Sequence, residues 1–321
     1  MPHASEVPGI SSDALAAQLH VELQTPVPEP VAALAAQLAA RAGGAAVAVL
    51  YYGSTLRTNA LDGMLDFYVL LDRTAAWPGS RLAAFANKLL PPNVGYVEGS
   101  FGGAALRAKF ALVSMRQFER RVAGESLDTT MWARFCQPCR CAWQRSTEDA
   151  LRVTAAVRAA TITAAGWAAA LGPAQGTAAD FWAALFARTY VTELRVETGD
   201  RSRGIVAADA QRYDALLPRA WSAGGLRFDL LPGDLLQPAL DAATRRRLLR
   251  QWARLQRWGK PLNILRLGKA AFTFDGGADY VVWKIERHRG VRLELSPWQR
   301  RFPLLAAPGI YWQLRRRGIL R

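Results

Sequence analysis

The chain has 321 residues, 51% of them hydrophobic and 21% charged, with a net charge of +15. That composition excludes a disordered chain, and three cysteines in one short run (Cys136, Cys139, Cys141) supply no disulfide framework and fit a reducing cytosol. No segment offers the ~18 strongly apolar residues that would span a bilayer, and the opening MPHASEVPGISSDALAAQLHVEL lacks the basic and apolar regions of a signal peptide.

In chain order, residues 1–30 end in PVPEP and read as a flexible leader. Residues 31–41 form an alanine-rich amphipathic helix. Residues 45–50 and 65–71 are predicted strands, β-branched and aromatic enough for a sheet. Residues 81–90 are a predicted helix, stopped by Pro91-Pro92. Strands are predicted again over 94–98 and 109–113. Residues 31–125 thus read as a small α/β domain with its site at the strand ends. From 114 to about 182 the pattern is helical, and it continues so to 195, giving a helical domain over 126–240. Residues 197–201 (ETGDR) read as a turn and 218–238 as a connection. A basic helix over 240–258 opens the C-terminal region, 241–321. That region carries 19 Lys and Arg against 5 Asp and Glu, whereas the residues before it carry 22 against 21. Such a module seeks polyanions, either nucleic acid or a membrane surface of anionic lipid.

The chemistry concentrates in AVAVLYYGSTLRTNALDGMLDFYVLLD. A buried strand runs into Tyr52-Gly53-Ser54, and a second strand carries Asp66 in its first half. A Gly-Ser turn presents backbone N–H groups and a hydroxyl to a triphosphate, and a strand carboxylate holds Mg²⁺ against the same phosphates. That is the layout of a nucleotidyltransferase site, although a tight turn beside an ordinary strand Asp has the same sequence. A second carboxylate two residues from the first is a common companion. Here those positions are Met64 and Tyr68, so Asp62 and Asp72 are the nearest substitutes as metal ligands.

Arg107 and Lys109 share one face of a predicted strand, where Lys109 is a candidate point charge for triphosphate or part of a solvated face. Asp200-Arg201 in the ETGDR turn either contact nucleotide or cap a helix. Lys269, in GKAAFTFDGG, is a candidate phosphate contact without Walker A spacing. The run FCQPCRCAW offers three sulfurs but no nearby fourth zinc ligand, since the histidines are His3, His20 and His288. It reads as buried structural cysteine in a helical context. The tail, 297–321, mixes Trp298, Phe302, Tyr311 and Trp312 with six arginines. That pairing suits a phosphate-rich lipid boundary, or a terminal helix packed on its own domain.

Taken in order, these motifs resemble the peripheral, mitochondrial-type phosphatidate cytidylyltransferases that make CDP-diacylglycerol. YGSTLR followed by GMLDFYVLLDRTAAW is similar to that family's Tyr-Gly-Ser turn and Leu-Asp strand ending near a Trp. LRAKFALVS is similar to its Lys-bearing strand, and MWARFCQPCR to its Gly-Arg-x-x-Lys-Pro helix end, with Ala133-Arg134 and Gln137-Pro138 here. ETGDRSRGIV resembles its Ser-Gly-Asp-x-Arg turn, and GKAAFTFDGGADYVVWKI its C-terminal Lys-Gly-x-x-Thr-Ala-Gly segment. The match spans roughly residues 45–290 and departs at Pro78, where the family has a His after the Trp.

The resemblance implies an α+β or α/β fold. A polymerase-β-like nucleotidyltransferase domain would precede a mostly helical region, of which a winged helix is one form, and a basic C-terminal helix. It implies transfer from CTP to phosphatidic acid, with Mg²⁺ as cofactor and no nucleic acid partner, on the inner face of the cell membrane. Asp66, Lys109 and Ser54 would carry the reaction. Gly53, Ser54, Asp200, Arg201 and Lys269 would bind nucleotide. Asp66 with Asp62 or Asp72 would hold metal. The rival readings are a nucleotidyltransferase with another acceptor (small molecule, protein or tRNA) and a non-catalytic protein that docks on membrane or nucleic acid.

Overall fold

The structure is a computed structural model and describes residues 12–58, 60–61, 63–192, 200–274, 276–277, 282, 295–296 and 298–299. In chain order its elements are α1 (Ser12–Gln24), α2 (Glu29–Ala40), β1 (Ala46–Tyr52), α3 (Ser54–Thr58), β2 (Met64–Leu71), α4 (Arg81–Leu89), β3 (Asn93–Phe101), β4 (Ala104–Ser114), α5 (Met115–Val122), α6 (Thr130–Phe135) and β5 (Cys139–Gln144). There follow α7 (Thr147–Leu171), α8 (Ala178–Thr192), α9 (Asp200–Ala207), α10 (Ala210–Ala223), β6 (Phe228–Leu231), β7 (Leu235–Pro238) and α11 (Ala242–Thr273). The fold is mixed, with helices and a sheet that combines parallel and antiparallel pairs. Two compact units divide it. One takes the described residues of Pro28–Ser114 and of Leu265–Arg321, the other those of Met1–Val27 and Met115–Ile264.

In the first unit the strands lie in the order β3-β4-β2-β1. β1 with β2 and β3 with β4 are antiparallel, and β2 with β4 is parallel. β1 reads AVAVLYY and is buried from Ala46 to Tyr51, as an uninterrupted apolar strand must be. The β3–β4 hairpin turns on Gly102 and Gly103, at φ of 56° and 81°, the positive values that a two-residue turn needs and glycine supplies. Helix α2 packs on β1, β2 and β3 with Leu34, Ala35, Leu38 and Ala39 buried. Beside it the Phe110 ring fills the space over Gly95, where an added Cβ would stand 2.2 Å from the ring. Trp77 packs on Phe110 with centroids 5.2 Å apart, and the Arg41 guanidinium lies 4.8 Å above Trp77.

The second unit is built around α7, whose buried alanines (Ala150, Ala156, Ala160, Ala164, Ala168) let α1, α5, α6, α8 and α10 approach closely. Ser146 caps it by accepting from Asp149 N–H at 3.1 Å, and Arg145 Nε donates to Asp149 Oδ2 at 2.8 Å. That Arg145 contact is the largest cause holding the Asp149 carboxyl below its usual range. At the other end Arg245 Nε donates to Ala170 O at 3.1 Å, satisfying a carbonyl the helix leaves unpaired. Buried Arg212 donates from Nε to Glu22 Oε2 at 2.8 Å and from Nη1 to Cys136 O at 3.1 Å.

Several sequence expectations change here. Residues 12–24, read as part of a flexible leader, form α1, whose Leu15, Leu19 and Leu23 are at most 1% exposed. The cysteine run is not wholly helical: Cys136 ends α6, while Cys139 and Cys141 lie on strand β5. All three are free thiols, and burial pushes Cys139 and Cys141 up to about 12. His20, one of the three histidines of the chain, places its Nδ1 3.2 Å from Thr154 Oγ1. The connection expected over 218–238 is the end of α10, which continues through Pro218, and the β6–β7 hairpin. The domain blocks 31–125, 126–240 and 241–321 give way to two units that each use distant stretches of chain.

Candidate active site

β1 delivers the chain to Gly53 and β2 delivers Asp66, and the antiparallel register pairs Tyr52 directly with Asp66. Gly53 is therefore the first residue past the paired end, turned at φ 96°. An alanine Cβ built there would stand 2.7 Å from Asp66 Oδ2. The glycine lets the carboxylate lie against the backbone of the turn, and it supplies a φ that side chains resist. Ser54 follows at the surface as the first residue of α3. Burial holds the Tyr51 phenol above its ordinary value, and the charge of Asp66 acts in the same direction.

The parallel register of β2 and β4 sets Asp66 beside Lys109, and the antiparallel register of β3 and β4 sets Lys109 beside Tyr96. One row of the sheet thus reads Tyr52, Asp66, Lys109, Tyr96, with neighbours about 4.8 Å apart on the same face. The next row reads Met64, Arg107, Glu98. Tyr96 Oη donates to Glu98 Oε1 at 2.5 Å, and Arg107 Nε lies 3.4 Å from the same oxygen. Sequence reasoning singled out Lys109 and Arg107 but missed Glu98 and Tyr96. The signal was present: Tyr-x-Glu and Arg-x-Lys flank the glycine turn at matching distances, so one hairpin register makes them cross-strand partners.

Gly53, Ser54, Asp66 and Lys109 therefore come together as expected neighbours. Other candidates do not join them. Asp72 follows β2, six residues beyond Asp66, about 20 Å along an extended strand. Its N–H donates to Ala45 O at the far end of β1. Asp72 cannot share an ion with Asp66. Asp62 lies outside the described residues. Asp200 and Arg201 open α9 rather than sit in a turn, and the preceding residues and both side chains lie outside the description.

Lys269 belongs to the last turns of α11. Its ammonium donates to Leu90 O and Pro92 O at 2.6 Å each and to Asn93 Oδ1 at 2.8 Å, and Arg266 Nε donates to Pro91 O at 3.0 Å. Asn93 is three residues along β3 from Tyr96 and two strands from β2, about 14 Å from Asp66 by strand spacings. Here Lys269 serves the carbonyls at the start of β3. Gly276, which follows it, does approach the site row, since an added Cβ there would stand 2.5 Å from Tyr96 O. Of the tail at 297–321 only Trp298 and Gln299 are described.

Among the described residues no three His, Cys, Asp or Glu side chains converge to hold a metal ion. Among the described residues the carboxylate near the turn is that of Asp66. That is enough for Mg²⁺, which keeps several waters and is completed by substrate phosphates, and too little for a protein-built cage. No described helix is long and apolar enough to cross a membrane. No protein-family model matches the chain, and no curated protein sequence matches it significantly.

Proposed function

We propose that this chain is a nucleotidyltransferase on a polymerase-β-like sheet, which transfers the cytidylyl group of CTP to the phosphate of phosphatidic acid at a membrane surface. The observation that carries the reading is the Gly53 backbone lying flush against Asp66, with Lys109 beside that carboxylate on the next strand. In this reading the turn N–H groups and the Ser54 hydroxyl hold the polyphosphate, and Lys109 neutralises it as a point charge. Asp66 would hold Mg²⁺ together with the phosphates, and the ion would supply charge neutralisation of the leaving group. An acceptor phosphate oxygen forms the new bond to the α-phosphorus, the α–β bridging bond breaks, and its electron pair leaves with pyrophosphate. A phosphate monoester is largely ionised at neutral pH, so no strong base is required, which accords with Met64 and Tyr68 where a second carboxylate commonly stands.

The membrane half of the proposal draws on α11. Between Ala242 and Ile264 its Arg246, Arg247, Arg250, Arg254 and Arg257 are exposed, with Leu249 and Trp258 among them. Arginines interleaved with exposed apolar groups suit an anionic headgroup layer better than a duplex groove. Protein at the inner face of the cell membrane would meet both substrates there. The order α9, α10, β6–β7 is that of helices followed by a wing, in line with a winged-helix region.

The test is direct. Full-length protein is incubated with labelled CTP, Mg²⁺ and vesicles containing phosphatidic acid. CDP-lipid and pyrophosphate should form, and Asp66→Ala should reduce the rate at least 100-fold. Label passing only to a small molecule, protein or tRNA would keep the transferase and reject the lipid acceptor. No transfer to any acceptor, with vesicle or DNA binding intact, would leave a non-catalytic docking protein.

A further inference from the structure

We propose that Arg107, Glu98 and Tyr96 form a second anion subsite next to the nucleotide site, in which Arg107 takes the phosphate of the acceptor and Glu98 is its resting counter-ion. This deepens the nucleotidyl-transfer reading and rests on it. Arg107 sits two residues before Lys109 on β4, so the two side chains leave one face from Cα atoms about 6.6 Å apart. One flanks Asp66 directly and the other flanks Met64, a position without charge. A face that must bring two phosphates together needs two separated cations, and this row spacing provides them.

The state of Arg107 argues for a ligand rather than a structural tie. Its Nε is buried and makes no hydrogen bond, although it stands 3.4 Å from Glu98 Oε1. Buried polar nitrogens are nearly always satisfied, so this one marks a pairing with Glu98 that is not a settled structural tie, and the exposed surface of the side chain lies on its other atoms. The Glu98 side chain is 56% exposed and that of Arg107 34%. An ion pair this open and this long is weak. The same Glu98 oxygen already accepts from Tyr96 Oη at 2.5 Å, which gives the carboxylate a partner to keep when Arg107 turns away. A phosphate monoester offers more charge than a carboxylate and matches the guanidinium fork with two oxygens. It would displace Glu98 from Arg107 without leaving Glu98 unpaired.

Binding of inorganic phosphate to the full-length protein, with and without CTP, is measured by calorimetry for wild type, Arg107→Gln, Arg107→Lys and Glu98→Gln. Arg107→Gln should weaken phosphate about tenfold or more, Arg107→Lys less, and Glu98→Gln should tighten it about threefold by removing the competing anion. In the transfer assay Arg107→Gln should raise KM for phosphatidic acid about tenfold while KM for CTP stays within twofold. Unchanged phosphate binding and unchanged acceptor KM in both Arg107 variants would overturn the subsite while leaving the transferase standing. Phosphate binding that depends on Arg107, in a protein that transfers no nucleotide, would overturn the transferase while leaving the subsite standing.

Discussion

Replacing Gly53 with alanine tests the contact on which the candidate site depends. The new Cβ would stand 2.7 Å from Asp66 Oδ2, against an ordinary contact of 3.4 Å or more, so the carboxylate or the turn must yield by several tenths of an ångström. The backbone adds its own cost, because φ of 96° is strained for alanine, at about 1–3 kcal/mol. Together these predict a loss of about 2–4 kcal/mol in wild type. In an Asp66→Ala background the Oδ2 contact is gone and the backbone part remains with a milder 3.3 Å contact to the Cβ of residue 66, so the same substitution should cost about 1 kcal/mol less. Urea denaturation of the four proteins of the cycle, followed by circular dichroism, reads both values. Equal costs in the two backgrounds would refute the claim that Gly53 is glycine because Asp66 lies on it. Cytidylyl transfer should also fall about 100-fold in Gly53→Ala, the scale on which displaced reacting groups act.

Arg212→Met should destabilise by about 3–5 kcal/mol by leaving Glu22 half-buried and unpaired, and adding Glu22→Gln should restore much of it. Asp149 has its folded-state pKa depressed, first by Arg145, so its contribution is present above the unfolded value and is lost as pH falls through the folded one. Asp149→Asn should therefore flatten the acid limb of the stability profile below about pH 4 and leave the alkaline limb unchanged. Cys139 and Cys141 are raised to about 12 by burial, so their contribution is full below the unfolded pKa and is lost as pH climbs toward 12. At pH 8 the native protein should resist iodoacetamide at both, and rapid labelling would contradict the burial of Cys139 and the raised pKa of half-buried Cys141. Arg246, Arg250, Arg254 and Arg257→Gln together should abolish flotation with anionic vesicles at 0.15 M salt, at about 1 kcal/mol per arginine. Retained flotation with loss of DNA binding would reassign the basic face to nucleic acid.

The sheet and its turn were legible because they are local. Each of the four strands in the first unit has an apolar or alternating run of its own, and one register between β1 and β2 is enough to set Gly53 on Asp66. Asp72 misled because strand period two places it on the same side as Asp66 but says nothing of the distance along the strand. Lys269 misled for a related reason: Gly-Lys beside small residues resembles a phosphate turn, but it lies within α11 and answers carbonyls 176–179 residues away. β5 was hidden by a sequence, CRCAWQ, without β-branched residues and set between helices. α1 was hidden by the PVPEP that follows it, although Leu15, Leu19 and Leu23 recur at the spacing of a buried helical stripe.

The two units share the chain in an interleaved way, and this bears on how the protein is made. α1 leaves the ribosome well before the partners that cover its leucines, α7 and α10, which end at Leu171 and Ala223. At 5–20 residues per second the last of them is some 10–40 s behind. Through that interval a leucine stripe stands in water, a ready target for a holding chaperone. The four strands of the first unit are complete sooner, by Ser114, but Lys269 and Arg266, which reach the carbonyls of Leu90–Pro92, follow more than 150 residues later. Neither unit is finished until α11 has emerged, and a nascent chain stalled before α11 would hold two incomplete cores rather than one finished domain.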